Sequence, residues 1–109
     1  MLVLLTSTLP LVGCSHYSCY GVQFNRIDFL PRGAISVTHE DEATHPSLAW
    51  VARRISAGVR SDQVDGRGRF DDFLAYAHER NLDLSGVSPP TFVVRGVVVA
   101  IRGVNNCLL

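Results

Sequence analysis

The stretch SPPTFVVRGVVVAIRG, at residues 88–103, constrains the fold of this chain more than any other. Two runs of mainly β-branched residues, 91–94 and 97–101, stand on either side of Arg95-Gly96. A two-residue connection containing glycine between two such runs is typical of a tight β-hairpin. Because both runs are apolar at successive positions, we expect at least one strand to be covered on both faces.

The middle of the chain changes to a helical period. A first helix is predicted to begin near Pro46, with Thr44 or His45 as its cap and Leu48, Val51, Ala52, Ile55 and Val59 on its buried face. A second helix is predicted from about Phe70 to Arg80, with Phe70, Phe73, Leu74 and Ala77 inward.

The segments around these helices favour strands. Residues 20–29 alternate as a strand that a bulge would interrupt where the phase shifts, and residues 34–38 favour a short strand. Residues 61–69 are polar and contain glycine, which predicts a loop. The element order predicts a single domain over residues 1–109, of α/β or α+β class. Its mixed sheet ends in an antiparallel hairpin, and two helices flank it.

Composition narrows the classes of function. The chain has 109 residues, of which 47% are hydrophobic, which is enough for a core of its own. The net charge is zero, so we expect no nucleic-acid partner, because phosphate binding needs clustered positive charge. The basic side chains are all Arg, and the absence of Lys excludes Schiff-base chemistry and a P-loop lysine. We expect no cofactor.

The first fourteen residues, MLVLLTSTLPLVGC, allow two interpretations. A buried first strand at Leu2–Thr6 is favoured, because no positive charge precedes Arg26 as a signal segment would require. The alternative is a bacterial lipoprotein signal that anchors the protein to a membrane through Cys14. The odd number of cysteines favours reduced thiols and a cytoplasmic protein. A periplasmic or membrane-anchored location is the alternative.

Residues 86–99, GVSPPTFVVRGVVV, resemble the C-terminal hairpin of thioredoxin-like proteins. The resemblance implies a degenerate thioredoxin-like fold in which Pro90 is the cis-proline that shapes a substrate groove. It also implies a thiol–disulfide oxidoreductase with Cys14 as nucleophile and Cys19 as resolving thiol. The spacing departs from the family, because four residues separate Cys14 from Cys19 where the redox members have two.

Other candidate groups have simpler structural explanations. His16 could stabilise a thiolate, and a zinc site could recruit His39 or His45, but the cysteine spacing is not that of a zinc motif. The acids at 40–42 fit a solvated entry to the first helix, those at 71–72 fit the first turn of the second helix, and the Gly-Arg repeat at 66–69 fits a loop.

The favoured function is therefore a small non-catalytic interaction or structural domain. A protein partner or further copies of the same chain would cover an exposed apolar face of the hairpin. A thiol–disulfide enzyme and a lipoprotein anchored at Cys14 are the alternatives.

Overall fold

The computed structural model describes residues 20–84 and 88–105. Its elements, in chain order, are β1 (Tyr20–Arg26), β2 (Ile35–Ser36), α1 (His39–Thr44), α2 (Pro46–Ser56), β3 (Ser61–Asp65), α3 (Arg67–Glu79), β4 (Thr91–Val94) and β5 (Val97–Asn105). The strands form one sheet in the order β2-β4-β5-β1-β3. β2 pairs in parallel with β4 and the other pairs are antiparallel, so the predicted mixed sheet is confirmed.

The predicted hairpin between β4 and β5 is also confirmed. Val94 pairs with Val97, and the two residues between them both have positive φ, 53° at Arg95 and 78° at Gly96. Positive φ at both central positions is the signature of the type I′ turn, whose twist matches that of the flanking strands. Glycine adopts this conformation at no steric cost, whereas Arg95 adopts it against its preference.

The core lies between one face of the sheet and the helices α2 and α3. Alternation along the strands sends every second side chain to this face, and helical spacing supplies the opposing layer. The fully or almost fully buried residues include Val22, Phe24, Leu48, Val51, Ala52, Ile55, Phe73, Tyr76, Phe92, Val94, Val99 and Ile101. The predicted buried face of α2 is confirmed for Leu48, Val51, Ala52 and Ile55. Val59 was wrongly placed on this helix: α2 ends at Ser56, and Val59 packs against the core beyond it while partly exposed.

The inward face of α3 differs from the prediction at one position. Leu74 is 37% exposed, whereas Tyr76 is completely buried. Phe73, Tyr76 and Ala77 share one helical stripe at spacings of three and four, and Leu74 lies about 100° away from Phe73 around the axis. The larger aromatic side chain takes the buried position, and its hydroxyl finds a polar partner at the edge of the core.

Two predicted boundaries were wrong. β1 ends at Arg26, so the shift of phase after it marks the end of the strand rather than a bulge. Residues 61–65 form β3, an edge strand that pairs with β1, and α3 begins already at Arg67. A polar edge strand gives a weak sequence signal because only one of its faces meets the core, and polar residues suit its exposed edge.

The acidic run at 40–42 belongs to a separate short helix, α1. Thr38 caps it: the backbone N–H of Asp41 donates to the Thr38 hydroxyl, and the Thr38 N–H donates to the Asp41 carboxylate. This reciprocal capping box starts a helix that His45 ends. None of the helices in the described part of the chain is long and apolar enough to cross a membrane.

Candidate functional site

The two cysteines predicted as catalytic, Cys14 and Cys19, lie outside the described residues, as do His16 and the strand predicted at 2–6. Pro90 is described, and its position corrects one expectation. No cis peptide bond occurs in residues 20–84 and 88–105, so the bond before Pro90 is trans. The Pro90 carbonyl accepts a hydrogen bond from the Ile101 N–H at 3.2 Å, which extends the hairpin ladder. The trans form is also the intrinsically favoured one, by about 0.5–1 kcal/mol.

A polar cluster centred on Asp41 ties α1 to α3. The Asp41 carboxylate accepts from the Tyr76 hydroxyl at 3.3 Å and from the Arg80 guanidinium at 2.8 Å. Burial raises the pKa of Asp41, but the Thr38 hydrogen bonds and the Arg80 charge outweigh it, so the pKa is below its ordinary value. Burial, together with the Asp41 charge, raises the pKa of Tyr76 to about 12. Because the Asp41 carboxylate is already bound by Tyr76 and Arg80, the cluster joins α1 to α3 and has a structural role.

The side chain of His45 belongs to the same cluster and does not cap α2. It stands at the N-cap position of α2, yet its side chain makes no capping hydrogen bond there. Its ring faces Tyr76 at 5.0 Å between centroids, and its Nε2 lies 3.3 Å from Glu79. The cap of α2 comes from Asp72, whose carboxylate accepts from the Ser47 N–H at 2.6 Å. Because α3 begins at Arg67, Asp72 lies beyond its first turn, contrary to the prediction, and its side chain caps the neighbouring helix.

A second polar contact joins α1 to the hairpin turn. The Arg95 guanidinium donates to both oxygens of the buried Glu42 carboxylate, at 2.7 to 3.2 Å. The hydrogen bonds from Arg95 lower the pKa of Glu42 despite its burial. Both residues line an open cleft of about 360 Å³ with His39, Ala43, Ala49 and Arg53. Within this cleft the Glu42 charge neutralises that of Arg95, so the geometry favours a structural link over an anion site.

The other face of the sheet is the first candidate for a binding surface. Thr91, Val93, Val98 and Ala100 alternate with the core residues of β4 and β5 and therefore lie opposite the helices. Cross-strand pairing joins Thr91 to Ala100 and Val93 to Val98, which places the four side chains side by side. All four are partly exposed, and none belongs to the core cluster. We call these four residues the apolar patch.

Polar residues surround the apolar patch on the same face. Gln23 and Asn25 of β1 and Gln63 of β3 alternate with core residues in the same way. Arg102 of β5 donates to the Gln23 amide oxygen at 3.0 Å, so its guanidinium group is directed towards the neighbouring strand β1. The face thus has a small apolar centre and a largely uncharged polar border.

The second candidate is a cleft of about 370 Å³ where β1 ends beside the hairpin turn. We call it the turn cleft; its lining residues are Arg26, Ile27, Asp28, Phe29, Leu30, Arg60, Gly96, Val97 and Val98. Phe29 and Leu30 are 66% and 68% exposed, and Leu74 is the other large exposed hydrophobic residue in the described part of the chain.

The sequence interpretation missed the turn cleft because it placed Phe29 in a strand. The signal that could have found it is the Pro-Arg-Gly sequence after Leu30: the structure has a turn over residues 31–34, in which the Ala34 N–H donates to the Pro31 carbonyl at 3.4 Å. Two large apolar residues just before a turn have no sheet partner to bury them, so their exposure follows from the turn itself.

Comparison with known proteins gives no relative: no family model, curated protein or solved structure matches the chain. Within residues 20–84 and 88–105, no group of three or more His, Cys, Asp or Glu side chains is placed to hold a metal ion.

Proposed function

We propose that this protein is a non-catalytic interaction domain that associates with a second copy of itself through the face of its sheet opposite helices α2 and α3. The observation that carries the proposal is the apolar patch, which lies opposite the helices and outside the core. Water contact with such a patch is unfavourable, and burying it against an equal patch removes that contact from both copies.

The layout of the face supports an interface. Protein interfaces have an apolar, charge-depleted centre and a polar rim. Here Val93, Val98 and Ala100 form the centre, and Gln23 and Gln63 belong to the rim. The charge of Arg102 is already directed onto Gln23. A twofold axis through the centre of the face would place the apolar patch of one copy against that of the other, and the polar rims would also face each other.

Size and charge indicate a weak, reversible pair. Five strands about 4.8 Å apart and some five residues long give a flat face of roughly 400 Å², from the standard spacings of a sheet. That size belongs to the lower end of specific interfaces, below about 1,200 Å² in total, where association is transient. The chain has no net charge, so two copies do not repel each other over a distance.

Light scattering over a series of protein concentrations tests the proposal. We expect a mass that rises from one copy towards two in the micromolar range for the native chain. Val93→Arg puts a charge at the centre of the face and should hold the protein at the mass of one copy. Gln63→Arg, a matched charge on the exposed rim, should leave the association within a few fold. A native chain that stays at the mass of one copy at every concentration would exclude self-association.

A further inference from the structure

Backbone hydrogen bonds join the segments that border the turn cleft. The Arg26 N–H donates to the Arg60 carbonyl at 2.8 Å, and the Ile27 N–H donates to the Val98 carbonyl at 3.0 Å. These bonds fix the end of β1 between the segment leading into β3 and the start of β5. This part of the cleft wall is therefore fixed before a ligand binds.

The cleft combines apolar and positively charged groups. Phe29 and Leu30 are its exposed apolar lining residues, and Arg26 and Arg60 are its basic ones. Asp28 is the acidic residue of its lining. Guanidinium groups bind carboxylates through two parallel hydrogen bonds, and an adjacent aromatic ring accepts an apolar side chain.

The arginines are available to a ligand. The side chain of Arg26 makes no ion pair with the described residues. Arg60 reaches Asp28 at 3.3 Å, with both side chains largely exposed, at 65% and 91%. Exposed pairs of this kind contribute little stability, typically below about 1 kcal/mol. An incoming carboxylate can therefore replace Asp28 on Arg60 at small cost.

We propose that the turn cleft binds a peptide segment of a partner protein in which acidic residues alternate with large apolar ones. The acidic side chains bind Arg26 and Arg60 in place of Asp28, and the apolar side chains pack on Phe29 and Leu30. Charge complementarity selects this occupant. The proposal goes beyond self-association and does not depend on it.

Fluorescence anisotropy with a labelled peptide, GSDLEFSG, tests the proposal. The native full-length chain is titrated at concentrations below those at which it self-associates, because Val93→Arg would add a positive charge beside Val98, which lines the cleft. Two peptides of equal length serve as controls: GSKLKFSG reverses the charge and GSDSESSG removes the apolar side chains. We expect the acidic apolar peptide to bind several-fold more tightly than either control, and the advantage over the charge-reversed peptide to shrink as salt is added. A labelled oligothymidylate is titrated in parallel, and its binding more tightly than the peptide would overturn the proposal.

Three variants locate the binding. Arg60→Gln should weaken the peptide complex about five-fold, the equivalent of about 1 kcal/mol for one charge-assisted contact. Asp28→Asn should tighten it by a few fold, because the competing carboxylate is removed. Arg53→Gln, in the other cleft, should leave it unchanged. If Asp28→Asn weakens binding as Arg60→Gln does, or if the three peptides bind alike, the cleft does not recognise acidic apolar segments. Either result would leave the self-association measurement unaffected.

Discussion

Arg95 holds both oxygens of the Glu42 carboxylate and thereby joins the turn of the hairpin to helix α1, 53 residues earlier in the chain. The contact explains why an arginine occupies a turn position with φ of 53°, where asparagine or glycine is usual. An arginine at position 95 places its guanidinium group within reach of the buried Glu42 carboxylate, which neither asparagine nor glycine could do.

The Glu42–Arg95 pair should make stability depend on acid. Because Arg95 lowers the folded-state pKa of Glu42 below its ordinary value of 4.5, the stabilisation is complete above about pH 4.5 and is lost as the pH falls through the lowered value. Glu42→Gln should cost about 1–2 kcal/mol at pH 7, discounted for the exposure of Arg95, and less at pH 3. Urea unfolding at both pH values measures this. A cost that is equal at both would show that the charge of Glu42 does not matter.

Asp72 should stabilise α2 from outside that helix. Asp72→Ala removes the acceptor of the Ser47 N–H and should cost about 1 kcal/mol, the usual contribution of an N-cap. Glu40→Ala, which removes an exposed carboxylate in the first turn of α1, should stay within about 0.5 kcal/mol. Thermal unfolding of the two variants gives the comparison. Equal losses would mean that the carboxylate of Asp72 acts through general charge and not as a cap.

A side chain at position 103 should destabilise the fold while Phe70 is present. A Cβ at Gly103 would lie 2.8 Å from Cδ1 of the Phe70 ring, which itself packs on Tyr20 at 5.3 Å between centroids. Gly103→Ala should therefore destabilise the fold by about 1–3 kcal/mol, as overpacking does. In the Phe70→Ala background the same change should cost much less, and a double-mutant cycle measures the coupling. If the stability losses of the two single variants simply add in the double variant, the Gly103→Ala side chain does not clash with Phe70.

Tyr76 should ionise well above the ordinary range of a tyrosine. Its pKa is raised to about 12 from 10 by burial and by Asp41, so its folded-state stabilisation is complete below about pH 10 and is lost as the pH rises towards 12. Tyr76→Phe should remove a step near pH 12 from an ultraviolet titration of phenolate. The protein should keep its fold, at a cost of about 0.5–1.5 kcal/mol for the hydroxyl contact. If Tyr76→Phe instead removes a step near pH 10, the burial of the Tyr76 hydroxyl is contradicted.

The sequence was sufficient for the parts of the fold that local chemistry decides. The hairpin follows from two β-branched runs around Arg95-Gly96, and the buried face of α2 follows from its helical period. β3 could not be predicted, because its polar residues are placed by pairing with β1, which is a contact distant in sequence. The Asp72 cap and the Glu42–Arg95 pair were missed for the same reason.

The candidate site, like the fold, could be predicted from the sequence only in part. The valine-rich runs led us to expect a hairpin strand covered on both faces, and within the described residues this is not found: Val93 and Val98 are partly exposed on the face opposite the helices. The turn cleft was not predicted, because Arg26 and Arg60 become neighbours only when β1 and the segment before β3 lie side by side. Cys14 and Cys19 lie outside the described residues, and their redox and lipid-anchor roles stay predictions.

A charge-pairing experiment at Val93 tests self-association most directly. The variants Val93→Arg and Val93→Asp are each predicted to sediment as one copy at concentrations where the native chain pairs, because like charges would meet at the twofold axis. Mixed in equal amounts, they should form a pair again, with the opposite charges facing each other. If the mixture sediments as one copy while the native chain still pairs, the interface lies elsewhere on the molecule and the proposal for the sheet face is contradicted.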